Sequence, residues 1–331
     1  MPHDLSAGRS RRVVIVCPGE VVSGGPEALH QLAAALVKSG HTAEMCYFPF
    51  DRGYANAPLA YGDYNVPVCT FDQIGDADVV LPEARTGFAR LFRPEQVWIW
   101  WLSVDHYRGT LREFDKPSGG LGLDPDRHLP LWQMRGMRHL SQSFYATQFL
   151  KYNGIEAMPL GDYLVKAHAK RSAAIPGKQR IVLYNPKKGL KLSKSIMEVL
   201  TQETFVPIVD LDHDDVARLL EQAALYIDFG PHPGKDRLPR EAAMAGCCIV
   251  TGLQGAAGNA MDVPIPTRYK IDETARDFPD TACRVIVDVL DHWKERQADF
   301  EDYRLRIEAE EENFLKQVAG AFGGRQAGQA V

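Results

Sequence analysis

The chain has 331 residues, enough for two domains of ordinary size, and 45% of them are hydrophobic, which supplies a sizeable core. A formal charge of −5 argues against a global nucleic-acid-binding surface but leaves room for a local anion site. The six cysteines form no CxxC pair and read as buried, reduced thiols of a cytosolic protein, and no apolar run approaches the ~18 residues of a membrane span.

Residues 1–11 read as a flexible polar arm without the apolar core of a signal peptide. The arginines of MPHDLSAGRSRR leave peripheral contact with the inner face of a membrane open. RVVIVC then reads as a buried strand. PEALHQLAAALVKSG reads as a helix, with Leu29, Leu32, Ala33, Leu36 and Val37 at helical spacing, Pro26 in the first turn and Gly40 at the stop. TAEMCYF, DVVL and VWIWWLSV predict further strands, and GMRHLSQ with SFYATQFLKYNG completes a first domain over 12–168. Residues 115–131 form a Pro/Gly-rich loop long enough to be functional or mobile.

A polar linker at 169–179 separates this half from a restart of the same pattern. RIVLYN is a strand, KGLKLSKSIMEVL a helix and FVPIVDL a strand. DDVARLLEQA is a helix capped by Asp214 or Asp215, and LYIDF and CCIVTG are strands. The second domain runs over 180–299. Helices extend from 273 to about 320, where Phe300, Tyr303, Ile307, Phe314, Val318 and Phe322 keep an apolar face. The helix at 300–322 is a candidate to pack back on the first domain, and 323–331 reads as a disordered tail. Alternating β and α in both halves predicts an α/β protein of two doubly wound, Rossmann-like parallel sheets. Ligands of such sheets bind at the carboxyl ends of the strands, and the cleft between two such domains is the default site.

Three βα loops carry the functional signal. In CPGEVVSGGPEALH, Gly24 and Gly25 let backbone N–H groups approach a ligand at a helix N-terminus, or simply satisfy turn geometry. In YNPKKG, Lys187 and Lys188 precede a helix start together with Gly189. Cations there oppose the helix dipole unless an anion binds between them. In GPHPGKDRLPRE, Gly234, Lys235, Arg237 and Arg240 crowd the start of another helix, which Pro239 can begin, and Glu241 falls in its first turn. Two electropositive loops on neighbouring βα units suit a ligand with several negative charges, such as a diphosphate.

These stretches carry a resemblance. SGGPEALHQLAAALVKSGHTAEM looks like the first helix of GT-B glycosyltransferases, and PREAAMAGCCIV resembles the donor-site helix of the retaining family that includes sucrose and glycogen synthases. NPKKG lies where that family has a lysine-bearing loop. The blocks WWLSVD, YNPKKG and DFGPHPGKDRLPREAA also resemble glycosyltransferase-like proteins of bacterial surface-polysaccharide clusters. The resemblance implies two domains facing a cleft and transfer of a sugar from a nucleotide-diphosphate sugar to a glycan or glycolipid acceptor in the cytoplasm. Glu241 would hold the ribose, and Lys187 or Lys188 with Arg237 or Lys235 the diphosphate. No nucleic-acid partner and no metal cofactor are implied. The family's other glutamate falls here on Pro233, so neither a sugar contact nor retention is implied at that position. An inverting route needs a base, with His30, Glu83, Asp105 and His106 as candidates, each of them also readable as structural or as a substrate contact.

DLDHDD contains a DxD of Asp210 and Asp212, but it precedes a helix, so capping is the better reading. The tryptophans of VWIWW read as sheet packing, although Trp101 could line an acceptor pocket. Two rival readings remain: an NAD-type oxidoreductase, against which the absence of GxGxxG counts, and a non-catalytic relative of the fold.

Overall fold

The computed structural model describes residues 12–114, 128–165 and 177–323. The expected arm at 1–11, the greater part of the 115–131 loop, residues 169–176 of the expected linker and the tail from 324 lie outside the described residues. The chain divides into two compact units. One comprises Met1–Gln142, Ala146–Asp162 and Glu312–Val331, and the other Ser143–Tyr145 and Tyr163–Glu311.

In the first unit β1 (Val13–Pro18), β2 (Ala43–Phe48), β3 (Asp78–Pro82), β4 (Val97–Trp101), β5 (Arg138–Ser141) and β6 (Met158–Pro159) form one parallel sheet. Its order is β2-β1-β3-β4-β5-β6. β1, β3 and β4 are near-continuous apolar runs because both sheet faces are covered. Helices α1 (Gly24–Lys38), α2 (Val104–Phe114), α3 (Leu131–Met134) and α4 (Phe144–Tyr152) connect the strands, with 3-10 segments such as Glu83–Leu91. VWIWWLSV is not all strand: β4 stops at Trp101 and α2 takes Val104. Trp100 and Trp101 are fully buried, and each indole N–H has an acceptor, the Leu160 carbonyl at 2.9 Å and His139 Nδ1 at 3.0 Å. Trp101 packs against Tyr107 and Phe149 in the core.

In the second unit β7 (Gln179–Tyr184), β8 (Thr204–Pro207), β9 (Ala223–Asp228) and β10 (Cys248–Thr251) form a parallel sheet in the order β10-β9-β7-β8. Helices α5 (Leu190–Val199), α6 (His213–Gln222) and α7 (Arg237–Met244) return the chain between strands. FVPIVDL is strand only as far as Pro207, and Asp210 stands in the left-handed region at φ 53°. The cap of α6 is Asp212, not Asp214 or Asp215: its carboxylate accepts the Asp215 N–H at 2.8 Å.

The C-terminal helical stretch begins at 278 rather than 273. It is broken into α8 (Phe278–Asp291), α9 (Trp293–Arg296), α10 (Glu301–Glu308) and α11 (Glu310–Phe322). Its apolar face is shared between two cores. Phe300, Tyr303 and Ile307 are buried in the second unit's core. Phe314 and Val318 are buried on the part of α11 assigned to the first unit, where Phe322 lies 4.7 Å from the Trp98 ring and Gln317 accepts the Gly161 N–H. All six cysteines are free and buried.

Candidate functional site

In the second sheet the chain winds one way from β7 to β8 and the other way towards β9 and β10, so β7 and β9 flank the switch point. The loops leaving their carboxyl ends touch backbone to backbone. Gly189 sits at φ 56°, and a Cβ there would overlap the carbonyl of Phe229. Gly230 sits at φ 97°, and a Cβ there would lie 2.9 Å from the Gly189 nitrogen. Two glycines thus let the loops with Lys188 and with residues 229–236 close on each other.

That closure delivers Lys188 into a charged cluster. Its ammonium lies 2.9 Å from an Asp228 carboxylate oxygen and 2.7 Å from Asp236. His232, 1% exposed, places Nδ1 3.0 Å from Asp236 and Nε2 3.1 Å from the Asp228 carbonyl. Burial pulls the His232 and Lys188 pKa values down, but the Asp228 and Asp236 charges outweigh it and raise both. Burial pushes Asp236 up, yet its hydrogen bond from His232 and the charge of Lys188 hold it below the usual carboxylate range. Among the described residues, Asp228, His232 and Asp236 are the one group spaced to hold a metal ion. The ammonium of Lys188 already bridges its two carboxylates. The charge of Lys188, which YNPKKG suggests for an anion, is therefore already paired with the chain's own carboxylates, whereas Lys187 is exposed.

Helix α7 starts at Arg237, with Asp236 at the N-cap position, so Pro239 is its third residue rather than its first. Arg237 Nη2 is 3.3 Å from Glu241 one turn on, and the two side chains are 21% and 9% exposed. Neither Asp236 at the start of α7 nor Gly189 at the start of α5 gives a side-chain cap, so the first N–H groups of both helices lack one. Gly234 is buried. Arg240 has turned inward: it is fully buried, with Nη1 2.8 Å from Glu310. Lys235 Nζ lies 2.7 Å from the other Glu310 oxygen.

In the first unit, β1 and β3 flank the corresponding switch point. Gly24 and Gly25 form the first turn of α1 after β1, and a Cβ at Gly25 would make only ordinary contact with Leu102, 3.8 Å away. His30 is wholly buried: Nδ1 is 2.7 Å from the Pro26 carbonyl and Nε2 2.7 Å from the Tyr47 hydroxyl, and the ring stacks on Tyr61. The carbonyl can only accept, so Nδ1 carries the proton and Nε2 accepts from Tyr47. Burial lowers its pKa. Glu83, after β3, is 2% exposed, accepts the Leu102 N–H at 2.9 Å, and is pushed by burial up to about 8. It is a neutral acid at neutral pH that ties the end of β3 to the β4–α2 turn. Asp105 is half-buried and His106 exposed, both in the first turn of α2.

Sucrose-phosphate synthase from Thermosynechococcus elongatus is similar to this chain over 95% of its residues and 98% of its own, with a TM-score of 0.66 at 11% identity. The chain has the GT-B fold. The glycosyltransferase WaaG, involved in lipopolysaccharide biosynthesis, matches at a TM-score of 0.59 and 14% identity, covering 96% of this chain and all of its own. The catalytic domain of starch synthase IV from Arabidopsis thaliana, bound to ADP and acarbose, matches at 0.56 and 10%, with coverage of 96% and 100%. No family model matches the chain, and no curated protein does.

The GT-B sheets frame several residues that sequence reasoning missed. Glu273 accepts the Gly230 N–H at 2.5 Å and the Leu253 N–H at 2.9 Å, joining the turns after β9 and β10. Asp228, His232, Asp236 and Glu310 are equally absent from the sequence-based candidates. HPGKD did carry a local signal for His232 and Asp236, an i,i+4 pair. Glu273 and Glu310 had none, because their partners lie 43 and 70 residues away. Among the described residues no helix is long and apolar enough to cross a membrane.

Proposed function

We propose that this protein transfers a sugar from a nucleotide-diphosphate sugar to a saccharide or glycolipid acceptor, in the cytoplasm, as a step in surface-polysaccharide or glycoconjugate synthesis. The observation that carries the reading is the closure of the β7 and β9 loops at the switch point of a GT-B sheet. It sets two uncapped helix starts beside Lys188, Arg237 and Glu241. Helix N–H groups, Lys187 and Arg237 would hold the diphosphate as negative charge grows on it during departure. Glu241, buried and oriented by Arg237, would accept the ribose hydroxyls. Lys188 would act from within its carboxylate pair, and Gly234 and Lys235 would shape the loop. On this reading no metal cofactor takes part, because a cation of the chain itself stands between Asp228 and Asp236. Acceptor contacts are assigned to Gly24, Gly25, Asp105 and His106 in the first unit. The buried His30 and Glu83 would act by holding those elements in place.

The test is a thermal-shift panel of UDP, GDP, ADP, NAD and NADP. At a hundredfold excess over Kd a ligand of the folded state adds about 2.7 kcal/mol, which raises Tm by roughly 5–10 °C. One nucleoside diphosphate should give that shift, with no response to NAD or NADP, and Glu241→Ala should abolish it. A response to NAD alone, or silence throughout, would refute the reading.

A further inference from the structure

The loop that leads into α7 is held from beneath by a charged group on a distant helix. Glu310 opens α11 and is 8% exposed. One of its oxygens takes Arg240 Nη1 at 2.8 Å and the other Lys235 Nζ at 2.7 Å. The guanidinium of Arg240 is used further: Nε donates to the Asp236 carbonyl at 3.1 Å and Nη2 to the Lys235 carbonyl at 3.1 Å. Those carbonyls belong to the turn whose Asp236 carboxylate holds both Lys188 and His232. The chain of contacts therefore runs from Glu310 through Arg240 to the backbone at 235–236, and from there to the Lys188 ammonium.

We propose that Glu310 is a positioning residue for the donor site: through Arg240 and Lys235 it fixes the 235–237 turn, and with it Lys188 and the start of α7. The inference rests on the functional reading above. It also reassigns two cations of the loop. Arg240 and Lys235 act on the protein's own carboxylate rather than on the ligand, which leaves Arg237 and Lys187 to meet the phosphates. A buried guanidinium with three separate acceptors sets orientation, because its planar fork satisfies all of them in only one pose. Displacing a binding group by about 1 Å from a distance weakens its action by up to about a hundredfold.

Removing Glu310 alone leaves Arg240 buried without its counter-charge, which threatens the fold. The decisive variant is Arg240→Met with Glu310→Met in the full chain. Replacing a buried ion pair by apolar groups of similar volume is often neutral for stability, and Lys235, 19% exposed, can turn to water. Isothermal titration with the nucleoside diphosphate that wild type binds gives the readout, with Tm recorded alongside. The expected result is a Kd about tenfold or more weaker at a Tm close to wild type, and in turnover assays a rise in donor KM that outweighs any fall in kcat. Glu310→Gln, which keeps the shape and one acceptor, should move Kd in the same direction by less. Unchanged Kd in either folded variant overturns the inference while leaving the functional reading intact. Wild type that binds no nucleoside diphosphate removes both.

Discussion

Replacing Gly189 by alanine isolates the contact on which the candidate site depends. Two costs arise. An alanine at φ 56° must adopt the left-handed conformation, at about 1–2 kcal/mol. Its Cβ would also come closer than 3.0 Å to the carbonyl of Phe229, on rigid β9–α7 backbone, and overpacking of that kind adds about 1–3 kcal/mol. Gly75 separates the two costs, because it has the same φ of 56° with nothing within 4 Å of a built Cβ. Gly75→Ala should therefore lose about 1–2 kcal/mol and keep full nucleotide binding. Gly189→Ala should lose about 2–5 kcal/mol and, by forcing the Lys188 loop away from Asp228 and Asp236, bind nucleoside diphosphate at least tenfold more weakly. Urea denaturation of the two variants, followed by calorimetric titration below their transitions, makes the comparison. Equal stability loss in both, with binding retained in Gly189→Ala, would refute the argument that loop closure builds the site.

Lys188→Met should cost about 3–5 kcal/mol, because it leaves two buried or half-buried carboxylates facing each other, and chemical denaturation will show it. Asp212→Ala should cost about 1 kcal/mol through loss of the α6 cap, without effect on nucleotide binding. Between pH 4.5 and about 8 the unfolded chain ionises Glu83 while the folded chain keeps its proton. Stability therefore falls as pH rises through that window and levels off above it, by at most about 5 kcal/mol. Glu83→Gln retains the acceptor for the Leu102 N–H and should flatten the slope between pH 5 and 8.5, so an unchanged slope would rule out Glu83 as its source. Nucleotide binding should survive EDTA; loss on chelation with recovery on Mn²⁺ would mean that a metal ion works with Asp228, His232 and Asp236 in spite of Lys188.

Periodicity made the frame legible. β1, β3, β4 and β9 are short, largely apolar runs buried on both sides, and β7 shows the same character in its second half, around the buried Val182 and Leu183. β6, two exposed residues, leaves no pattern in the sequence, and β8 is shorter than its apolar run because Ile208 and Val209 continue that run as far as the left-handed Asp210. The loops of the candidate site were legible in place but not in electrostatics. KDRLPRE reads as one block of positive charge, yet a helical turn starting at Arg237 leaves Arg237 partly exposed and sends Arg240 into the interior. The counter-charges that decide which cation faces a ligand come from Asp228 and Glu310. Their distance along the chain is bridged only by folding, and a local pattern carries no record of it.

The division of α11 bears on how the protein is made. The first unit draws on residues up to Asp162 and then on residues from Glu312, with the whole second unit lying between them in sequence. At about 5–20 residues per second, Phe314, Val318 and Phe322 reach the first unit on the order of ten seconds after its sheet has left the ribosome. The second unit, whose stretch from Tyr163 is synthesised without interruption, can finish folding first. Until the last helix arrives, the Trp98 side of the older sheet is an unsealed hydrophobic surface. Nascent chains stalled before residue 312 should recruit chaperones there, and a chain truncated at that point should aggregate through its first unit.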